Sequence, residues 1–258
     1  MIIDTHIHLD DARYSEDLDT VIQRAKEGGV KRFIIPGADP KTLKKAIEIA
    51  QKYEEVYFAV GVHPYDMQNF EPSFFREYIN HPKCVAVGEC GLDYYRLEGS
   101  SEEKERERQK QKEVFVAQIQ LAKEFKKPLI VHIRDASSDA KEVLVEQNAK
   151  EVGGVLHCFN ADRQLLSLAD EGFYFGIGGV VTFKNAKKLV QILPEIPPER
   201  IVLETDGPYL TPEPYRGKRN EPLYTVYVAE KIATILGKPK SFIEKTTTEN
   251  ARKCFDIQ

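Results

Sequence analysis

Histidines and carboxylates at the ends of predicted strands are the residues of this 258-residue chain that could do chemistry. His6 and His8 are two residues apart in a β-rich run, so their side chains point to the same face of the strand. Two imidazoles on one face form a chelating pair for a divalent metal ion. The same pair could instead be core histidines bonded to the backbone, and these two residues alone do not decide between the interpretations.

Further candidate ligands follow at the ends of other predicted strands. Glu89 ends the fourth strand and Asp206 the eighth, while His132 and His157 lie at the ends of the fifth and sixth. Burying such groups without a cation would cost roughly several kcal/mol for each unpaired ion. Because one metal rarely uses six side chains and still leaves room for a substrate, we expect two divalent ions that share a bridging carboxylate.

The elements that must position these residues repeat along the whole chain. Short runs rich in Val, Ile, Phe and Leu alternate with longer helical segments, and nearly continuous apolar runs are typical of strands buried on both faces of a parallel sheet. The predicted strands are Ile2–His8, Arg32–Pro36, Val56–Gly61, Cys84–Glu89, Leu129–Ile133, Gly154–Phe159, Phe173–Gly178 and Ile201–Asp206. This pattern predicts an α/β fold, a (β/α)8 TIM barrel that forms a single domain over residues 1–258 and gathers its site at the carboxyl ends of the strands. A doubly wound open sheet is the alternative, but the glycine-rich loop that usually follows its first strand is missing after His8.

The helical segments include one long charged stretch and a tail. Ser100 and Glu103 form a capping box that predicts the start of a helix through Leu97–Lys112 and beyond, and Pro128 ends it. The other predicted helices are Asp17–Glu27, Lys41–Tyr53, Ser73–Asn80, Ser138–Gln147, Arg163–Glu171 and Lys184–Leu193. Two tail helices, Leu223–Leu236 and Ser241–Cys254, are expected to close the outer ring of the barrel.

Composition excludes several classes of protein. A net charge of −4 argues against a protein that coats nucleic acid with a broad basic face, although it allows action on a strand end. The longest uncharged run, Gly172–Phe183, has twelve residues, whereas a membrane span needs about 20. Four cysteines without a CxxC pair suit a reducing compartment. We therefore expect a cytoplasmic protein without a membrane segment or signal peptide, and with no obligate protein partner.

Seven stretches of the chain, in order, carry a resemblance to a known family. They are DTHIHLD (Asp4–Asp10), GVHP (Gly61–Pro64), GECGLDYY (Gly88–Tyr95), PLIVHIRDA (Pro128–Ala136), LHCF (Leu156–Phe159), ETDGPYL (Glu204–Leu210) and RGKRNEP (Arg216–Pro222). The sequence resembles the TatD-related metal-dependent deoxyribonucleases, a branch of the amidohydrolase-like TIM-barrel metallohydrolases. Many relatives in the wider superfamily have a carboxylated lysine where Glu89 stands, and the glutamate favours the TatD branch.

The resemblance implies a nuclease that cuts phosphodiester bonds by two-metal activation of water, with DNA, and RNA as a further candidate, as its substrate. It implies removal of nucleotides from the 3′ end of a single strand. The metals, Mg²⁺, Mn²⁺ or Zn²⁺, would be held by His6, His8 and Asp206 at one site and by His132 and His157 at the other, with Glu89 between them. Asp206 would also be the catalytic residue that orients or deprotonates the attacking water.

Three residues near these ligands are assigned further roles. His63 is implied by the resemblance to contact a substrate phosphate or the leaving group; a histidine bonded to the backbone is the alternative. Asp93, four residues after Glu89, is close enough to bond a ligand residue or a bound water and is a second candidate for the substrate site. An ordinary Asx turn would also explain it. Glu204 shares a face with Asp206 and is predicted to bond a ligand histidine and fix its tautomer, unless it forms a structural ion pair.

Basic and aromatic residues complete the predicted substrate site. Arg134 follows His132 by two residues and could bind a phosphate through two hydrogen bonds, or could instead pair with Asp135 or Glu89. The loop after the eighth strand is a common phosphate-binding segment in this fold, and it contains Tyr209, Tyr215, Arg216, Arg219 and Asn220.

Two alternatives to the nuclease remain at this point. The same site could attack a carbonyl, as in a zinc amidohydrolase or an aminoacyl-tRNA deacylase, although Glu89 in place of lysine weighs against the amidohydrolase. The other alternative is a non-catalytic barrel that binds metal or a partner; such a protein would typically lack a ligand or the base.

Overall fold

The computed structural model describes residues 1–258 and has eight parallel strands in the order β1 to β8, each paired with the next. The strands are β1 (Ile2–Asp4), β2 (Val30–Ile35), β3 (Val56–Val60), β4 (Cys84–Asp93), β5 (Leu129–Arg134), β6 (Gly154–Leu156), β7 (Phe173–Ile177) and β8 (Ile201–Leu203). The first and last strands are joined by backbone hydrogen bonds, among them Thr5 N–H to Leu203 O at 3.0 Å. The predicted (β/α)8 barrel is therefore confirmed.

The helices surround this sheet. They are α1 (Leu18–Glu27), α2 (Leu43–Lys52), α3 (Pro72–Tyr78), α4 (Ser101–Phe125), α5 (Ser137–Glu146), α6 (Lys187–Ile192), α7 (Thr225–Leu236) and α8 (Lys240–Phe255). The capping box of α4 is present in both directions, from the Glu103 amide to the Ser100 hydroxyl and from the Ser100 amide to the Glu103 carboxylate. No helix is both long and apolar enough to cross a bilayer.

Several strand ends differ from the prediction. The ladders of β1, β6 and β8 stop before His6, His157 and Asp206, which lie in the segments that follow. Beyond β6 and β8 the backbone leaves the extended conformation, with φ of 44° at Cys158 and 57° at Asp206, and regular pairing ends. Strand β4 is longer than predicted, because its pairing with β5 continues to Asp93 opposite Arg134.

Two helix predictions were also wrong in part. The segment Arg163–Ala169 is a 3₁₀ helix, in which Leu165 and Leu168 are buried three residues apart on one side of a three-residue turn. The last helix, α8, packs against α7 of the outer ring and places Ile243 in the same apolar cluster, but its carboxyl-terminal part leaves the ring. Its residues Ala251 and Phe255 pack against inward-facing side chains from all eight strands and so close the amino-terminal end of the barrel.

Candidate metal centre

The closure of the barrel between its first and last strands brings three predicted ligands together. The Asp206 amide donates to His6 O, and the His8 amide donates to Gly207 O, both at 2.9 Å. Asp206 has a left-handed backbone with φ of 57°, and its Oδ1 lies 3.4 Å from His8 Nε2 and 3.7 Å from His6 Nε2. One donor atom from each of these side chains lies within 4.8 Å of the others, close enough to hold one cation.

Glu89 occupies the middle of the site and is almost completely buried. Its Oε2 lies 3.2 Å from His6 Nε2. Its Oε1 lies 2.9 Å from His132 Nδ1 and 3.8 Å from Nε2 of both His157 and His63. One carboxylate therefore faces four imidazoles from four different strand ends, which is the position that a bridging ligand needs.

The polar atoms of this centre are poorly satisfied by the protein itself. Neither ring nitrogen of His6 has a hydrogen-bond partner, and the ring stacks on His157 with centroids 3.4 Å apart. Burial and the neighbouring His157 lower the pKa of His6, which favours the neutral form that binds metals. Burial opposes the charged form of His157, but Glu204 and Glu89 outweigh it and raise the pKa of that imidazole to about 10. The donor set thus fits divalent cations, which would satisfy the bare nitrogens and balance the carboxylates.

Two buried carboxylates lie behind the imidazoles. Glu204 Oε1 lies 3.2 Å from His157 Nδ1 and also accepts from the Cys158 amide at 2.7 Å. Asp93 Oδ2 lies 2.9 Å from His132 Nε2. If the Nε2–H of His132 is the donor in this pair, its Nδ1 lone pair faces Glu89 and the centre. A hydrogen-bonded carboxylate such as Asp93 fixes the tautomer and orientation of a metal-ligating histidine. Glu204 faces His157 Nδ1 as a charge, without the geometry of a hydrogen bond.

The placement of Asp93 separates its predicted roles: it bonds the candidate ligand His132 and accepts from the Tyr95 amide at 2.9 Å in an Asx turn. Its side chain is 1% exposed and is occupied by His132, so it has no surface for a substrate. We therefore assign it to positioning His132 instead of to substrate contact.

Two glutamines of α4, not identified from the sequence, hold the strand ends in place. Gln118 accepts from the Val62 amide at 2.8 Å and donates to Val62 O at 3.1 Å. Gln111 makes the same pair of hydrogen bonds with the backbone of Asp93, at 2.9 and 3.0 Å. Both side chains are 1% exposed, and their spacing of seven residues places them on one helix face. Two polar residues on the otherwise apolar inner face of this helix were the signal that could have revealed them.

His63 and Arg134 lie at the rim of the centre. The Tyr65 amide donates to His63 Nδ1 at 3.1 Å, and burial lowers the pKa of this histidine to about 4. Its neutral ring therefore carries the proton on Nε2, which faces the centre. Arg134 is exposed and stacks on Tyr95, with its guanidinium 3.6 Å from the ring centroid. It forms no ion pair with Asp135 or Glu89, the two carboxylates that were predicted as alternative partners to a substrate phosphate.

The loop after β8 offers fewer side chains to a substrate than the sequence analysis predicted. Asn220 is fully buried; its amide donates to Thr205 O and Tyr209 O, and its oxygen accepts from the Glu221 amide. Asn220 thus holds the loop and cannot contact a substrate as predicted. Arg219 is paired with Asp17 and Glu221, Tyr215 stacks on Tyr224, and Arg216 donates to Thr211 O.

Only Tyr209 of the predicted loop residues lies beside the centre. Its ring centroid is 6.2 Å from that of His8, and the residue is 50% exposed. The guanidinium of Arg13 lies 4.3 Å from the ring centroid. An exposed aromatic ring next to the candidate metal ligands is a surface on which a base could stack.

Comparison with known proteins agrees with this architecture. Residues 3–256 match the family model described as TatD related DNase. An uncharacterized metal-dependent hydrolase, YabD of Bacillus subtilis, is 43% identical over 100% of both chains. The 3′-5′ ssDNA/RNA exonuclease TatD of Salmonella typhimurium is 34% identical over 99% of both. Among solved structures, the TatD homologue YJJV of Escherichia coli superposes with a TM-score of 0.90 at 27% identity, covering 100% of this chain and 98% of that one. These matches confirm the resemblance: the chain belongs to the TatD-related DNase family of metal-dependent hydrolases.

Proposed function

We propose that this hydrolase is a nuclease that removes nucleotides from the 3′ end of single-stranded DNA, with RNA as a second substrate. The observation that carries the proposal is the convergence of six candidate ligands, Glu89 among them, at one barrel end, beside a cavity of about 490 Å³. The activity named for the Salmonella relative supports the substrate and the polarity. Membership of a hydrolase family disfavours the non-catalytic barrel.

The chain's own residues divide into two ligand groups. His6, His8 and Asp206 would hold one divalent ion, His132 and His157 the other, and Glu89 would face both. When bound, such ions lower the pKa of a coordinated water and stabilise charge on the phosphate.

Asp206 is proposed as the general base. Its contacts with His8, His6 and His157 all run through Oδ1, which leaves Oδ2 to accept a proton from the attacking water. His63 is proposed to donate a hydrogen bond through its Nε2–H to a phosphate or leaving-group oxygen, because its other nitrogen is already occupied by Tyr65.

The Asp206→Asn variant tests the assignment. The amide keeps the shape and one coordinating oxygen but cannot take a proton, so turnover of end-labelled single-stranded DNA should fall about 10²–10⁴-fold. Metal loading, checked by elemental analysis, must match the parent. Asp170→Asn, an exposed carboxylate outside the site, is the control and should leave turnover unchanged. A metal-replete Asp206→Asn protein within about threefold of the parent, far short of the loss of a general base, would show that Asp206 is not the base.

The cysteines indicate the compartment in which the enzyme works. All four cysteines are unpaired, in keeping with a reducing compartment, and we expect a cytoplasmic enzyme that needs no obligate protein partner.

A further inference from the structure

We propose that Arg134 and Lys188 form a second phosphate site, which binds the backbone phosphate one nucleoside away from the bond that is cut. The inference rests on the proposed nuclease function and adds to it the length of strand that the protein recognises. Its basis is a pair of adjoining cavities with two unpaired cations at their junction.

The two cavities differ in character. The inner one, about 490 Å³, begins at His157 and Asp206. The outer one, about 540 Å³, opens at the start of α5 and is lined mainly by polar side chains. Arg134, Asn160 and Lys188 line both cavities. A strand that leaves the metal centre through the inner cavity and continues into the outer one therefore passes these two cations.

The inner cavity suits a nucleoside. Its walls away from the candidate metal ligands are largely apolar and come from Phe159, Ala161, Val180, Leu189 and Leu210. Tyr209 also lines it, and aromatic faces hold bases by sequence-tolerant stacking. A nucleoside enclosed here would have one phosphate at the metal centre and the next at the junction.

The cations at the junction are free to bind an anion. Two other arginines near the barrel mouth form ion pairs, Arg13 with Asp11 and Arg219 with Asp17. Arg134 and Lys188 form no ion pair and are exposed, and Arg134 is held only by stacking on Tyr95.

The carboxylates of the outer cavity restrict the phosphate to the junction. Asp139 is bonded to Lys112 and to the Tyr94 hydroxyl, each at 2.8 Å. Asp162 accepts from the amide and side chain of Gln164, and Asp135 also lines this cavity. Arg108 also lines this cavity but is paired with Glu105. The three carboxylates therefore make the interior of the outer cavity less favourable for an anion than the junction with its two unpaired cations.

The direction of the strand follows from the position of the cations. A nucleotide released from a 3′ end has no phosphate beyond the one that is attacked. The junction therefore has a phosphate to bind only if the inner cavity holds the nucleoside of the retained strand. The bound group is then the 5′-phosphate of that nucleoside.

Two matched dinucleotides test this arrangement with added Mn²⁺: thymidylyl-thymidine with a free 5′-hydroxyl, and the same molecule with a 5′-phosphate. The phosphorylated form should have a KM about tenfold lower, as expected for charge-assisted hydrogen bonds, with a similar kcat. Lys188→Ala and Arg134→Ala should each reduce this ratio toward one. Lys187→Ala removes a neighbouring exposed cation of α6 that does not line either cavity, and it should keep the full ratio.

Each of the other possible outcomes would contradict one part of the proposal: the second phosphate site, the direction of the strand, the residues that bind the phosphate, or the nuclease function. Equal KM values for both dinucleotides in the parent would overturn the second phosphate site while leaving the nuclease intact. Thymidylyl-thymidine with a 3′-phosphate is assayed as a third probe, and a lower KM for this molecule alone would overturn the direction of the strand. A ratio that survives in both Ala variants would show that other residues bind the phosphate. If neither dinucleotide nor a longer single strand is cut, the proposed function itself fails.

Discussion

The two ends of the barrel interior are built on the same strands but from opposite chemistry. At the amino-terminal end, Ile130 and Val155 belong to a wholly buried apolar cluster closed by α8. His132 and His157 lie two residues further along the same strands or their extensions. Their side chains therefore face the same way as those of Ile130 and Val155. A step of about 7 Å along each strand thus changes the interior from hydrocarbon to ionisable groups.

This contrast shows how the molecule separates stability from function. Apolar burial at the closed end contributes folding free energy, whereas buried carboxylates and imidazoles at the open end cost it until a cation binds. Variants at the closed end should therefore change stability and not catalysis, whereas variants at the open end should change catalysis and the stability that metal binding adds.

The largest effect is expected at the closed end. Phe255→Ala removes a buried ring of α8 and should lower the free energy of unfolding by about 3–5 kcal/mol. Turnover per folded molecule should stay near that of the parent, because Phe255 lies at the other end of the barrel from the metal centre. Phe242→Ala on the same helix is the control: this ring is 37% exposed, so its loss should cost far less. Denaturant unfolding and turnover at matched folded concentration measure both quantities. A large loss of turnover in folded Phe255→Ala would show that the two ends are coupled.

Metal binding should stabilise the open end. At a free ion concentration 100 times the dissociation constant, binding to the folded state alone adds about 2.7 kcal/mol. Thermal unfolding with and without a chelator should show this as a higher Tm for the loaded protein. The His132→Ala/His157→Ala double variant should bind about one ion fewer by elemental analysis and show a smaller shift. An unchanged metal content in that variant would contradict the assignment of these two histidines.

A smaller effect, on metal affinity, is expected when Glu204, the buried carboxylate beside His157, is displaced by a steric overlap. A Cβ on Gly176 would overlap Oε2 of Glu204, so Gly176→Ala should displace this carboxylate from His157. Loss of such a partner weakens metal affinity by about 10–100-fold, which titration of the metal-free protein would measure. At Gly178 a Cβ would make only an ordinary contact with the same side chain. Gly178→Ala should therefore keep the affinity, and equal affinities of the two variants would argue against positioning by Glu204.

Local patterns were enough to predict much of this molecule. The alternation of apolar runs with helical segments gave the number and order of the strands, and the Ser100–Glu103 box gave the start of α4. His6 and His8 were expected on one face because side chains alternate along an extended chain, and both lie in the centre. Each of these inferences depends on neighbours within a few residues.

Partners that come from distant parts of the chain could not be predicted in this way. Asp93 was expected either at the substrate or bonded to a ligand residue, and the sequence did not show that its partner is His132, 39 positions later. Asn220 was expected in a phosphate site, but backbone groups of its own folded loop and of Thr205 use its amide. The helical pattern of α8 fits an outer ring as well as an end cap, since both bury one face.

The sequence by itself therefore determined which chemical groups stand at the carboxyl ends of the strands, because strand order and side-chain alternation are local properties. Only the tertiary structure decided which of those groups are used up by protein partners and which remain free, as Arg134 and Lys188 do. The reason is physical: a buried polar atom is satisfied by whatever group the closed barrel brings within about 3 Å, and that group is set by packing across the whole chain.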